Sequence, residues 1–330
     1  MFISKVGGLI AAASQKATRP TLQLGGISVV KRIVLTMQQA GVFPIVVVTG
    51  VEADEVRYQL AGRGMVFLYN RDFSEPELLD SVRMGLNFLQ GRCERVVFTP
   101  VNVPLFSQAT LRALLAAEGE IVTPSYRKQG GHPIVLDNRV IPDILAYRGR
   151  QGLRGAIAGL EKRRRWVEVE DEGVLLTIHQ EAALQKHLQA HASDFLHPNL
   201  RLSLEGEEEL LSARAKLLLL LIGETHSVRE ASERMALSPS KAWNVINKLE
   251  AALGYPVLSR RQGGQQGSGS DLTPEGFAFL VAFQRYEEQV IAFSNARFEA
   301  MRNAGELVFQ PEKNSVDYLE AANDAAPKGE

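Results

Sequence analysis

The chain of 330 residues lacks the features that stabilise secreted and membrane proteins. Its one cysteine, Cys93, cannot form a disulfide within the chain, which favours a reducing compartment. Its apolar runs, such as residues 217–222, are far shorter than the ~20 residues needed to cross a bilayer. We interpret the short apolar stretch at residues 1–14 as a first β-strand and not as a signal peptide. These absences predict a cytoplasmic protein without membrane attachment, in which Cys93 is a core residue.

The chain also lacks an excess of charge of either sign. The formal net charge is -1, so any surface that binds nucleic acid must be local. The length predicts two domains, each large enough for its own core. We place the boundary where the segment HASDFLHP, residues 191–198, interrupts the periodicity. The predicted domains are residues 1–191 and 197–303, followed by a polar tail, residues 304–330, that we expect to be disordered.

Residues 227–276 have the pattern of a winged helix-turn-helix that docks on duplex DNA. Ser227 and Glu230 have the spacing of a capping box at the start of one helix. Ser238 followed by Pro239 predicts the start of the next helix, residues 239–253. A basic entry, a glycine-rich stretch and a Leu-Thr-Pro-Glu-Gly exit then predict a wing. The alternating residues 200–204 predict one more strand beside it.

The second of these helices, the predicted recognition helix, has a polar face opposite its apolar side. Short polar and basic side chains near a helix N-terminus suit base edges and phosphates, and the arginines of a wing suit phosphate or the minor groove. For Trp243, packing between helices and a base contact both stay open. The predicted DNA-binding residues are Ser238, Ser240, Lys241, Asn244, Asn247, Lys248, Arg260 and Arg261.

The first half alternates short Val- and Ile-rich runs with amphipathic stretches. The runs are residues 45–49, 65–68, 96–99 and 120–123, and the amphipathic stretches are residues 28–40, 52–61, 77–89 and 108–117. This alternation predicts an α/β Rossmann-like fold, a mostly parallel sheet covered by helices on both faces. Ligands of such sheets bind at the carboxyl ends of the strands, where the informative residues should therefore lie.

Residues 1–190 resemble the MobA-like nucleotidyltransferases, close to the branch that attaches cytidine to the molybdenum cofactor. Residues 10–13 (IAAA) stand for the family's LAAG, residues 48–50 match its VTG, residues 81–86 match a segment that touches the nucleotide, and residues 131–133 match its GHP. The resemblance implies that CTP or molybdopterin binds here, with Mg²⁺ if the domain is active. For His132, the alternative that its side chain only caps local backbone in a turn stays open. The nucleotide-binding residues that the resemblance implies are Ala12, Ala13, Arg19 (at the family's lysine position), Gly50, Ser81, Asn102 and His132.

The chain departs from this family at the metal positions. The family has an aspartate in GDxP, where this chain has Asn102, and its later acidic element is replaced by residues 176–179, which contain no carboxylate. Mg²⁺ prefers carboxylate oxygens, and it neutralises charge during nucleotidyl transfer. We therefore assign no metal ligand and no catalytic residue, and we expect binding to survive while turnover is absent or feeble.

Residues 197–300 resemble the DNA-binding domain of the molybdate-responsive regulator ModE, which is related to LysR-type winged helices. The match includes the Lys241-Ala242-Trp243 run and the Leu-Thr-Pro exit from the wing. The resemblance implies a homodimer that binds a palindromic operator in double-stranded DNA. The dimer helix would be residues 277–301, with apolar residues Leu280, Phe283, Val290, Phe293 and Phe298. We expect no molybdate-binding domain like that regulator's, so any sensor would be the first domain.

Together the two resemblances favour a DNA-binding transcription regulator linked to molybdenum cofactor or molybdate metabolism, with the first domain as its ligand sensor. The alternative is an active molybdenum cofactor cytidylyltransferase that autoregulates through its fused DNA-binding domain. In a third reading the first domain binds a maturation partner and no small molecule.

Overall fold

The computed structural model describes residues 4–13, 19–60, 63–71, 78–191, 198, 200–261 and 269–307. In the first half these form a β-sheet with helices on both faces. The strands are β1 (Ser4–Ala12), β2 (Gln23–Leu24), β3 (Ile27–Ser28), β4 (Ile45–Thr49), β5 (Met65–Tyr69), β6 (Cys93–Pro100), β7 (Ile121–Tyr126), β8 (Gln129–Gly130), β9 (Ile134–Asp137) and β10 (Arg164–Glu168). The helices are α1 (Val29–Gln39), α2 (Ala53–Gln59), α3 (Leu78–Leu89), α4 (Gln108–Ala116), α5 (Ile141–Ala146), α6 (Gly152–Ala158) and α7 (Glu181–Ala190).

The main sheet has the strand order β10-β7-β9-β6-β1-β4-β5, with β8 paired to β7. Strands β6, β1, β4 and β5 are parallel neighbours, and β10 is parallel to β7. Strand β9 is antiparallel to both β6 and β7. The predicted mostly parallel α/β fold is therefore confirmed, with one inserted antiparallel strand.

Strand β1 lies at the centre of this sheet, and its side chains alternate between two apolar layers. Leu9 packs in the layer that contains α3, whereas Ile10 packs in the layer that contains α1. Both side chains are fully buried. A strand covered on both faces has no polar side, which explains the continuous apolar runs of the first half.

The second half is mainly helical. Its strands are β11 (Leu204–Glu205), β12 (Glu209–Leu211), β13 (Leu258–Arg261) and β14 (Gly269–Leu272), and its helices are α8 (Ala213–Thr225), α9 (Val228–Arg234), α10 (Pro239–Leu253) and α11 (Pro274–Asn303). The Ser227 hydroxyl accepts from the Glu230 amide, and the Ser238 hydroxyl accepts from the Lys241 amide. Helix α10 ends at Gly254, whose φ of 75° is left-handed. The predicted helix-turn-helix and wing strands form as expected.

Two local predictions are wrong, and a third is only half confirmed. The predicted strand 200–204 is limited to Leu204–Glu205, because its pairing partner β12 is short. The capping box is half formed, since the Glu230 carboxylate pairs with Arg234 and the Ser227 amide donates to Thr225. In α11, Leu280 and Phe283 are buried against their own chain, so they are not available to a second subunit. The expected disorder of the tail concerns residues that, beyond 307, lie outside the described part of the chain.

The two halves pack directly against each other. Glu224 at the end of α8 forms ion pairs with Arg92 of the first half and with Arg234 of α9. Both guanidinium groups lie over the Phe88 ring, at 4.5 Å and 5.3 Å from its centroid. The apolar layer around α3 continues into the core around α8 without a break.

No helix of the described residues is long and apolar enough to span a membrane.

Candidate nucleotide and DNA-binding sites

Strands β1 and β4 end side by side at the carboxyl edge of the sheet, in the region that we call the strand-end site. Ala12 lies opposite Thr49 in the strand register, so Ala13 and Gly50 follow side by side. A Cβ atom on Gly50 would lie 2.5 Å from the carbonyl oxygen of Ala13. The two chains can approach this closely only because residue 50 has no side chain.

A buried polar pair fixes the residue that follows the neighbouring strand β5. The Asn70 amide nitrogen donates to the Thr49 carbonyl at 2.9 Å, which holds the end of β5 against the end of β4. The Asn70 side chain donates to the Ser81 hydroxyl of α3 at 3.3 Å, and both residues are buried. Ser81 thus positions Asn70, a residue that our predicted site did not include.

On the other side of β1 from β4, two buried polar atoms of the described residues lie without a hydrogen-bond partner. Strands β6 and β9 pair Phe98 with Ile134, so Asn102 after β6 and His132 before β9 lie at the same end of the sheet. Among the described residues, neither the Asn102 Oδ1 nor the His132 Nδ1 atom has a hydrogen-bond partner. An unsatisfied buried polar atom costs about 1–3 kcal/mol, so this pair indicates a place where a polar ligand or water binds.

Their backbones are well anchored. The His132 amide donates to the Val174 carbonyl at 2.9 Å, and the Asn102 carbonyl accepts from the Ile178 amide at 2.9 Å. The His132 ring also contacts the Phe98 ring edge-on, with 5.6 Å between centroids. A rigid backbone with unpaired side-chain atoms is the arrangement of a preformed binding site.

The side chain of Arg19 is exposed. Residues 14–18, between Ala13 and Arg19, lie outside the described residues. The Thr21 hydroxyl donates to the Glu52 carboxylate at 2.5 Å, which connects the segment after Arg19 to the loop after β4. The structure thus brings Ala12, Ala13, Gly50, Ser81, Asn102 and His132 to one edge of the sheet, with Arg19 at its margin.

The predicted DNA-binding residues lie on the second half as follows. Ser238, Ser240, Lys241, Asn244 and Asn247 are exposed along the start and outer face of α10. The Lys248 ammonium group forms an ion pair with Glu208 of the β11–β12 hairpin, which takes up its charge. Arg260 of β13 is exposed and lies over the Trp243 ring at 4.5 Å. Arg261 is the last residue of β13, and its side chain and the wing tip lie outside the described residues.

Trp243 therefore packs between the helix and the wing. It is partly buried against the core of the second half, and its ring supports the Arg260 guanidinium. This contact fixes the wing arginine relative to α10, although sequence reasoning did not pair the two residues.

Comparison with known proteins gives two family matches. Residues 14–166 match the family described as MobA-like NTP transferase domain, and residues 216–277 match the bacterial regulatory helix-turn-helix protein family of the lysR type. The chain joins a MobA-like NTP transferase domain to a LysR-type helix-turn-helix domain.

Two individual proteins extend these matches. The molybdenum-pterin-binding protein MopB of Rhodobacter capsulatus is 32% identical over 87 residues, which cover 26% of this chain and 32% of MopB. The match thus spans about a third of that relative. A nucleotidyl transferase from Methanothermobacter thermautotroptrophicus has a TM-score of 0.50 and 21% identity, covering 56% of this chain and 98% of that chain. At this identity the likeness shows the fold of the NTP transferase domain alone.

The donor set of the NTP transferase domain does not fit the Mg²⁺ ion that its family implies. Asn102 offers one neutral oxygen. The carboxylate of Asp171, near the start of α4, accepts instead from the Ser107 amide at 2.8 Å and from the Thr110 hydroxyl at 2.6 Å. The described residues contain no group of three His, Cys, Asp or Glu side chains that could hold a metal. We therefore derive no catalytic step through a metal ion.

The stability of the NTP transferase domain should depend on pH through His132. Burial, and then the charge of Arg164, lower the pKa of His132 to about 4 from an ordinary value of 6.5. The stabilisation from keeping this ring neutral is fully present above pH 6.5 and is lost as the pH falls toward 4. The expected loss is at most about 3 kcal/mol.

Urea unfolding at pH 7 and at pH 5 measures this effect, and His132→Gln should flatten the difference. His179→Gln is the matched control, because His179 is exposed. Hydrogen bonds from Arg163 to Glu120 and from Arg139 to Asp137 lower the pKa values of both carboxyls, so their contribution is lost only at still lower pH. A His132→Gln variant with the wild-type pH dependence would contradict the assignment.

Proposed function

We propose that this protein is a DNA-binding transcription regulator linked to molybdenum cofactor or molybdate metabolism, and that its NTP transferase domain serves as a ligand sensor. The observation that carries the proposal is a contrast between the two domains. The helix-turn-helix domain presents an exposed polar face on α10, whereas the described residues at the strand ends of the first domain include no group of three side chains that could hold a metal.

The unpaired atoms support ligand binding at the strand-end site. Asn102 Oδ1 can accept a hydrogen bond, and His132, which is neutral at physiological pH, can donate or accept one. A base or a pterin ring offers donors and acceptors of this kind, while the exposed Arg19 guanidinium suits a phosphate group. The similarity to a molybdenum-pterin-binding protein supports the link to molybdenum.

An active cytidylyltransferase that regulates its own expression is the second candidate. Its support is the order at the strand ends, where the close approach at Gly50 and the Asn70–Ser81 pair keep the backbone in place. This candidate requires turnover in spite of Asn102, and it requires that Asn102→Asp increases the rate, since that change supplies a carboxylate for Mg²⁺.

Calorimetric titration of the full chain with CTP, GTP and ATP in the presence of Mg²⁺ tests the sensor. The proposal expects selective binding of one ligand without release of pyrophosphate, and a change in affinity for promoter DNA when that ligand is present. Molybdopterin is titrated in the same way. Rapid Mg²⁺-dependent pyrophosphate release from CTP and molybdopterin would favour the second candidate. Failure to bind any promoter DNA at moderate salt would refute both.

We propose further that the protein acts as a homodimer through α11 and binds a palindromic site. One side of this helix is buried against its own chain, but Tyr286 and Phe293 are 53% and 73% exposed. Together with Phe279, Ala282 and Ala296 they follow spacings of three, four, seven and three residues along a single stripe, in which the intermediate position between Tyr286 and Phe293 is Gln289. Such a stripe is typical of a helix that pairs with a second helix. A two-fold dimer of helix-turn-helix domains would bind half-sites one or more DNA turns apart.

Phe293→Glu should convert the dimer to a monomer. A charge in the centre of an apolar helix pair loses its solvation without gaining a partner, so the dissociation constant should rise by at least about a hundredfold. Light scattering after size exclusion, over a range of concentrations, measures the change. Tyr58→Glu is the control, since Tyr58 is 79% exposed on α2 and lies away from the stripe. A Phe293→Glu variant that remains dimeric would place the interface elsewhere.

A further inference from the structure

A cleft lies at one part of the junction between the NTP transferase domain and the helix-turn-helix domain. Its volume is about 760 Å³, and it is lined by the end of α1 and residue 63 from the first domain and by the start of α8 and the middle of α11 from the second. The cleft is thus distinct from the strand-end site, whose residues do not line it.

Four arginines line this cleft: Arg63, Arg112, Arg201 and Arg214. No carboxylate of the described residues forms a salt bridge with any of them, and Arg63, Arg201 and Arg214 lie where the two domains meet. The Arg63 Nη1 atom is buried and has no hydrogen-bond partner among the described residues. Burial and the charge of Arg201 lower the pKa of Arg63, so these two like charges interact with each other.

The other cations of the same junction behave differently. The buried Lys216 ammonium pairs with Glu287 and lies 4.0 Å from the centroid of the Phe43 ring. Arg92 and Arg234 share the carboxylate of Glu224. Carboxylates thus neutralise these cations at the junction, whereas among the described residues none pairs with Arg63, Arg201 or Arg214. Like charges held together with an unsatisfied N–H group are costly unless an anion compensates them.

We propose that this cleft is a binding site for a small anionic ligand carrying a phosphate or pyrophosphate group, held by Arg63, Arg201 and Arg214. Guanidinium groups bind such oxyanions through paired N–H donors. The backbone supports the placement, since a Cβ atom on Gly64 would lie 2.9 Å from the Ala213 carbonyl oxygen and 3.4 Å from the Arg214 amide nitrogen. Residue 63 and the start of α8 are therefore adjacent. A ligand bound here contacts both domains at once, and this site does not rest on the function proposed for the strand ends.

Calorimetric titration of the full chain with inorganic pyrophosphate, at low and constant ionic strength, tests the site. The expected result is saturable binding that Arg63→Gln and Arg201→Gln each weaken by roughly tenfold or more. Arg201 is exposed, so its replacement does not endanger folding. The matched control is Arg57→Gln, since Arg57 has its own partner, Asp54.

Arg19→Gln separates this cleft from the strand-end site. Pyrophosphate binding that survives Arg19→Gln but not Arg63→Gln supports the cleft, whether or not any nucleotide binds the first domain. Absence of saturable binding overturns the proposal. So does binding that Arg63→Gln and Arg201→Gln leave unchanged.

Discussion

Replacing Asn244 with alanine is expected to weaken binding to operator DNA roughly tenfold to a hundredfold. Asn244 is exposed on α10, six residues after the N-terminal cap at Ser238. At this position a carboxamide can donate to and accept from one base edge, and each such pair discriminates between bases by about 1–3 kcal/mol. Lys241→Ala should instead weaken binding on every sequence and reduce the salt dependence by about one phosphate contact.

Fluorescence anisotropy with a promoter fragment and with unrelated DNA, each over a range of salt concentrations, measures both effects. Neither change should alter the free energy of unfolding, because both side chains are exposed. Lys162→Gln is the control for the loss of one charge, since Lys162 is exposed on the first domain, far along the chain from α10. If the Asn244→Ala protein bound the promoter as tightly as the Lys162→Gln protein does, α10 would not be the recognition helix.

The DNA-binding surface shows how far local sequence signals extend. Ser227 and Ser238 were predicted as caps because the geometry of a cap involves only the next three residues. The same holds for the apolar spacing of α10. The ion pair between Lys248 and Glu208 could not be predicted, since the two residues are 40 positions apart and meet only when the β11–β12 hairpin packs on α10. Its consequence is a smaller set of free cations on α10 than the sequence alone suggested.

The sheet shows the same limit. Buried parallel strands were predicted from continuous Val and Ile runs, but the insertion of β9 between β6 and β7 depends on pairing between distant segments. That insertion is what brings His132 to the end of β6, beside Asn102. The family resemblance named both residues, but only the fold shows that their free polar atoms occur at one edge of the sheet.

The junction between the domains is the part least accessible from sequence. Arg92 and Phe88 belong to the first domain, whereas Glu224 and Arg234 belong to the second, and no spacing rule connects them. Because one continuous apolar layer includes residues of both domains, the domains are packed together and not merely linked by the chain. A ligand that shifts one domain would therefore also displace the other. Such coupling is the physical requirement for a sensor fused to a DNA-binding domain.

Gly50→Ala should destabilise the protein by about 2–4 kcal/mol and abolish ligand binding at the strand ends. The φ angle of Gly50 is not left-handed, so the glycine is required for space and not for backbone conformation. The new methyl group would lie 2.5 Å from the Ala13 carbonyl oxygen, and backbone cannot move aside as a flexible side chain can. Because Ala13 follows the central strand β1, its displacement would also move the segment that approaches the ligand.

Denaturant unfolding and calorimetry with the ligand found for the wild type measure the two effects. The matched control is Gly159→Ala at the end of α6, where the Cβ atom would lie 3.6 Å from its nearest neighbour and the backbone is already α-helical. That change should be neutral or slightly stabilising, because alanine loses less conformational entropy on folding. Equal stability and equal affinity in the two variants would mean that the segment at Ala13 adapts freely. The strand ends at Ala13 and Gly50 would then not form the rigid element on which the sensor proposal depends.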